Sequence, residues 1–369
     1  MNNLKRFLIL ILVVINLFTF NSFADSSMES SNLKHEKAVV LSVIEGEGDV
    51  GFGETLQIVK LKVLSGKYKD QVFETKNYLD PNNTVFAMPV EKGTKVVVVI
   101  GIDEDEFLVH IEDYYRQDYI NYIFILFCIC VLIFGKLKGV KTLISLFATM
   151  ALVFKFMIPY ILNGGSPILS AILVCSVSTI ITMLLISGFS HKSLCAILGT
   201  IGGVIVAGGL AFFVGSQIKL TGLSSEEANI LIYLRQGLVF DFKELLFAGI
   251  LLGALGAVMD VSMSVASTIE EVKRIKDDIS MKELFKSGIN VGRDIMGTMS
   301  NTLILAYTGS SLSLLLIFSE LETSMTKIMN LDIIATEIIR SLTGSIGLIM
   351  TIPITAFLAA YFYSKKASK

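Results

Sequence analysis

Apolar and polar positions divide the chain into three unequal parts. It opens with "MNNLKRFLILILVVINLFTFNSFADSS", where Lys5 and Arg6 precede an apolar run over 7–20 and then Ser22-Phe23-Ala24. A basic start, a short apolar core and small residues at −3 and −1 predict a secretory signal peptide over 1–24, cleaved after Ala24. As an uncleaved anchor, the same segment is nearly long enough to span a bilayer. Residues 25–115 instead alternate. "KAVVLSVIE", "TLQIVKLKVL", "QVFETKNYL", "TKVVVVIGI" and "FLVHIEDYY" are β-branched, period-two stretches, separated by turn residues at Gly46–Gly53 and Asp80–Asn83. Five short strands of this kind predict a small extracytoplasmic β domain, an OB-like barrel.

Beyond Asp118 the alternation stops. Seven apolar runs follow, over about 119–135, 142–161, 167–188, 193–214, 244–268, 291–318 and 337–363, each able to cross an apolar core of roughly 30 Å. The predicted fold is therefore a membrane all-α helical bundle of seven transmembrane helices over 116–364, preceded by the β domain and closed by a tail at 365–369. Lysine and arginine orient it. Lys136, Lys138 and Lys141, then Lys192, then Lys273, Arg274, Lys276, Lys282 and Lys286, then Lys365, Lys366 and Lys369 all fall on one side. That side is cytoplasmic if the β domain lies outside, which predicts a cytoplasmic C-terminus.

Composition agrees. The 369 residues are 53% hydrophobic and only 17% charged, with a mean hydropathy of +0.69, whereas a soluble domain carries about 25% charged residues. The net charge of −2 and the lack of an aromatic, basic surface argue against a nucleic-acid partner. Cys128, Cys130, Cys175 and Cys195 lie in apolar runs and read as packing residues. The three histidines are dispersed, so no metal and no cofactor are expected. There is neither a His-Glu-x-x-His nor a phosphate-loop motif, so no catalytic residue is assigned and an enzyme is not expected.

The fifth run carries the candidate chemistry. Gly249, Gly253, Gly256, Asp260, Ser264 and Ser267 recur at steps of three and four and so share one helix face. An aspartate facing lipid costs at least about 2.5–3.5 kcal/mol. The stripe is therefore predicted to face the bundle, leaving Ile250, Leu251, Val258 and Val265 for lipid or for bulkier partners. With the membrane border near Ile269, Asp260 lies about 13 Å inside, too deep for so short a side chain to reach water. The sixth run is antiparallel to the fifth, which sets Asp260 level with Ser300 and Asn301, and Ser267 level with Arg293. A hydrogen bond from Ser300 or Asn301 to Asp260 is expected, with Gly297 giving room. In the seventh run Gly344 and Gly347 form a packing stripe with Arg340 and Thr351, Glu337 and Arg340 form a pair, and Pro353 introduces a kink. The fourth run, "GTIGGVIVAGG", reads as a centrally packed helix of small residues. Asp260, Ser264, Ser267, Arg293, Ser300 and Asn301 are thus the candidate substrate- or ion-binding residues. Gly249, Gly253, Gly256, Gly297, Gly344 and Gly347 are the candidate packing residues. Structural bonding between the two helices is the competing reading for Asp260.

"GALGAVMDVSMSVASTIEEV", "GINVGRDIMGTMSNTLILAYTG" and "EIIRSLTGSIGL" resemble the YibE/F-like family of bacterial membrane proteins over roughly 119–363. The resemblance implies a multi-pass plasma-membrane protein of a kind often described as a transporter or permease. It brings no substrate and no functional residues. Two readings follow: a secondary transporter of a small solute or ion, or a non-transporting scaffold or sensor whose β domain binds an envelope partner.

Overall fold

The structure is a computed structural model that describes residues 34–47, 55–79, 88–103, 106–234, 241–320 and 324–365. The expected signal peptide or anchor at 1–24 lies outside these residues, as does the tail beyond Lys365. The chain divides into two compact units, Met1–Leu126 and Phe127–Lys369.

The first unit holds β1 (Lys34–Glu47), β2 (Thr55–Val63), β3 (Val72–Leu79), β4 (Lys95–Asp103) and β5 (Glu106–Tyr114), all five where alternation predicts them. They form one antiparallel sheet in the order β3-β2-β1-β4-β5. The sheet curls until its edges meet, and the Thr75 hydroxyl of β3 donates to the Val109 carbonyl of β5 at 2.5 Å. The result is a nearly closed barrel. Its interior takes every second residue, Val59, Leu61 and Val63 from β2 and Val96, Val98 and Ile100 from β4, all essentially buried. Asp118 opens the following helix and is held by Lys37 at 3.2 Å and Lys95 at 2.7 Å. A carboxylate there also suits the positive end of the helix.

The second unit is helical. Its elements, named from the start of the first helix, are α1 (Gln117–Leu152), a π-helical turn (Val153–Met157), α2 (Ile158–Leu162), α3 (Pro167–Ser187), α4 (His191–Gln217), α5 (Glu226–Leu234), α6 (Phe242–Ile275), α7 (Met281–Ser310), α8 (Leu312–Glu320), α9 (Met325–Met329) and α10 (Asp332–Lys365). Boundaries follow local chemistry. Ser166 caps α3 ahead of Pro167, Ser190 caps α4, and Ser280 with Glu283 forms a capping box on α7. Among the described residues, five helical stretches are long and apolar enough to cross a membrane, or six with the bent pair α7 and α8 taken as one.

The first two of the seven expected runs fall inside a single stretch, Gln117–Leu162. Lys136 breaks it, with φ 49° and ψ −128°. A Cβ on Gly139 would collide with the Val131 carbonyl. Eight residues of straight helix would separate these groups by about 12 Å, so the chain turns back on itself at Lys136.

The core of the bundle is α4, α6 and α10. Between α4 and α10 the backbones nearly touch: a Cβ on Gly347 would lie 2.5 Å from Ala207 Cβ and 2.8 Å from the Gly203 carbonyl oxygen. Small residues on both helices permit that approach, as the fourth run predicts. The described ends sort into two groups. Lys192 at the start of α4 pairs with Glu270 near the end of α6 at 2.9 Å, and the Tyr363 hydroxyl near the end of α10 donates to Glu270 at 2.8 Å. At the opposite end, the Ser166 hydroxyl donates to Glu244 and Thr221 donates to Asp332 at 2.6 Å. The helices therefore alternate in direction, and Lys192, Lys273 and Arg274 share one end.

Candidate functional site

The stripe on α6 exists, but it points outward. Gly249, Gly253, Gly256 and Asp260 are exposed on the surface of the protomer, and Ser264 and Ser267 are half-buried. Ile250, Leu251, Val258 and Val265, expected to meet lipid or bulkier partners, are buried at 0–1% exposure and so meet partners. The orientation expected from the sequence is thus reversed. Between helices in lipid, close packing rather than removal from water drives association, branched side chains make more such contacts than glycine can, and α6 turns that face to α3, α4 and α10. The polar contact α6 makes inward is a different one: Ser262 and Thr200 share a buried hydrogen bond at 2.6 Å.

The register against α7 is as expected. A Cβ on Gly253 would lie 2.5 Å from the Tyr307 hydroxyl, and one on Gly288 would lie 2.6 Å from Ile269 Cδ1, which keeps Asp260 level with Ser300 and Asn301. The expected hydrogen bond does not form. Among the described residues Asp260 has no hydrogen-bond or ion-pair partner, and the Ser300 hydroxyl oxygen is buried with none. Arg293, Asp294, Gly297 and Asn301 are exposed along α7. The packing role holds for Gly344, which faces Leu303 and Ala254, and for Gly347. Gly249, Gly256 and Gly297 have open space where a side chain would stand.

A second feature lies where α7 gives way to α8. The chain bends by 62° there, and Tyr307 and Ser311 at the bend, with Phe318 of α8, Met325 of α9 and Glu337 and Ser341 of α10, line a cavity of about 700 Å³. Its wall is apolar apart from a few polar tips. Glu337 Oε1 lies 3.5 Å from Arg340 Nη2, at the i, i+3 spacing expected from the sequence. This is a loose pair, and Glu337 Oε2 and Arg340 Nε are both buried without a hydrogen-bond partner. Buried charge without such partners is costly. Tyr307 joins the two features, its ring on the cavity and its hydroxyl over Gly253 of the stripe. Sequence reading missed Tyr307. Its position level with Gly253 in the antiparallel register is the signal that finds it. Among the described residues no group of His, Cys, Asp and Glu is placed to hold a metal ion.

Residues 123–365 match the family model described as YibE/F-like protein. No curated protein and no solved structure matches the chain.

Proposed function

Because the chain belongs to the YibE/F-like family, and because a cavity lined in part by Glu337 sits at a break between its apolar helices, we propose that it is a secondary transporter or permease for a small solute or ion. The cavity carries the reading. Transporter substrate sites are typically built at discontinuous helices. Its volume of about 700 Å³ lies within the range of small-molecule sites, about 300–1,000 Å³. Glu337 lines the cavity as the residue that would accept from a donor on the substrate, and Arg340 beside it keeps the pair neutral overall. Asp260 is the candidate coupling residue. A carboxylate among apolar neighbours at membrane depth is suited to exchanging a proton, and Gly253 and Tyr307 connect its stripe to the cavity wall. Counted as separate spans, the two arms of the Lys136 turn bring the number of crossings to seven. The lysine-rich end then faces the cytoplasm and the barrel, OB-like in its strand order, lies outside.

The test is metabolite and ion profiling of a deletion strain carrying wild type, Glu337→Gln or Asp260→Asn at equal abundance in the membrane. Wild type should restore the profile, and each variant should lower the restored flux at least tenfold. Full restoration by Asp260→Asn alone removes that residue from coupling. Full restoration by both variants overturns transport in favour of a scaffold whose β domain binds an envelope partner.

A further inference from the structure

The outer face of α6 and α7 combines three properties that do not belong together on a lipid-facing surface. It bears charge: Asp260, Arg293 and Asp294 are all exposed on the protomer. Between Glu244 and Glu270 of α6, Asp260 is the only charged residue. It sits ten residues from Glu270, about 15 Å along the axis, where an unpaired carboxylate against hydrocarbon is strongly disfavoured. The face is also unpartnered: none of the three charged groups has a hydrogen bond or ion pair within the described residues, and the Ser300 hydroxyl oxygen at the level of Asp260 is unsatisfied as well. Finally, it is hollow, with no atom within 4 Å of where a Cβ would stand on Gly249, Gly256 or Gly297. Gly203, Gly292 and Gly347, in the core of the bundle, instead lie tight against a neighbour. Gly249, Gly256 and Gly297 clear a path for a helix that none of the described residues supplies.

We propose that this face is the contact surface of a homodimer, in which a second copy of the chain packs over Gly297 and supplies the partners of Asp260, Arg293 and Asp294. Charge complementarity selects a second copy over an unrelated helix. A two-fold axis along the membrane normal brings together groups of equal depth. Arg293 and Asp294 are neighbours, so the axis sets Arg293 of one copy against Asp294 of the other, and does so twice, leaving no net charge at that level. Asp260 of one copy meets Asn301 of the other at its own level, where the amide can donate to the carboxylate. Arg293, Gly297 and Asn301 stand at successive four-residue steps on α7, so the close crossing falls between the two polar layers. The proposal does not depend on what the protein transports.

The test uses the full chain in its native membrane, with Cys128 and Cys130 replaced by Ser. Gly297→Cys should give a disulfide-linked dimer on oxidation, and Phe357→Cys, on the exposed side of α10, should not. Purified wild type should have the mass of a dimer. Gly297→Leu, which has room to fold within the protomer, should be monomeric with an unchanged melting temperature. Arg293→Asp should lose the dimer, and the exchange of Arg293→Asp with Asp294→Arg should regain it. A monomeric wild type overturns the proposal. So does a dimer that survives both Gly297→Leu and Arg293→Asp, cross-linking that is equal from Phe357→Cys, or capture of a different protein by Gly297→Cys.

Discussion

The glycines of the bundle are of two kinds, and a single methyl group separates them. At Gly203 a Cβ would run into the Thr351 hydroxyl, 2.9 Å from Val258 Cγ1 and 3.0 Å from the Gly347 carbonyl oxygen. Nothing on that side can yield, because α4, α6 and α10 all close on the same point. Gly203→Ala should therefore destabilise the protein by about 1–3 kcal/mol, the usual cost of overpacking, read as a lower melting temperature in detergent. Gly256→Ala, with open space around it, should leave the melting temperature of the protomer unchanged. Equal effects at the two sites would contradict the packing described. The sequence shows that Gly249, Gly253, Gly256 and Asp260 share a face, because helical spacing is fixed by geometry. It does not show which way the face points. Both sides of a membrane helix are apolar, so the contrast that orients a soluble helix is nearly absent. An aspartate on the stripe suggests the interior, but the bulk of Ile250, Leu251 and Val258 opposite decides the packing.

At the scale of elements, the breaks carry more information than the helices. Apolar runs and their lengths are plain in the sequence, and so are the strands of the barrel, where period-two alternation at Val59, Leu61 and Val63 leaves little choice. The bend between α7 and α8 is not visible, since "YTGSSLSLLLIF" stays apolar or small throughout and contains no proline. The cavity was hidden with it. Lys136 is the opposite case: the sequence marks a charged loop, and the structure makes it a turn so abrupt that a non-glycine residue takes φ 49° with ψ −128°. Such a backbone costs a residue that carries a Cβ about 1–3 kcal/mol, and glycine adopts it freely. Lys136→Gly should accordingly raise the melting temperature. If it lowers it, the turn is not strained in this way.

For the molecule as a whole, Lys192, Glu270 and Tyr363 tie three helix ends together. Tyr363→Phe removes one hydrogen bond at that junction and should cost about 1 kcal/mol, measured by thermal denaturation. No change would mean the three ends are held by apolar packing alone. That Lys192, Lys273 and Arg274 share one end of the bundle was legible in the placement of lysines. The partnering of helices was not, because it depends on which small residues meet across the chain, Gly203 with Gly347 or Thr200 with Ser262, and a sequence does not pair them.

The seam between α4 and α10 also sets an order of events. Ribosomes deliver α4 into the bilayer long before they deliver α10, so the side of Gly199 and Gly203 that meets Thr355, Thr351 and Gly347 must wait beside lipid, even after α6 has brought Ser262 to Thr200. Until α10 arrives the bundle has no centre. Its quality control during synthesis is consequently decided late: a chain interrupted before Asp332 leaves a complete barrel attached to helices that cannot close, a natural substrate for membrane proteases.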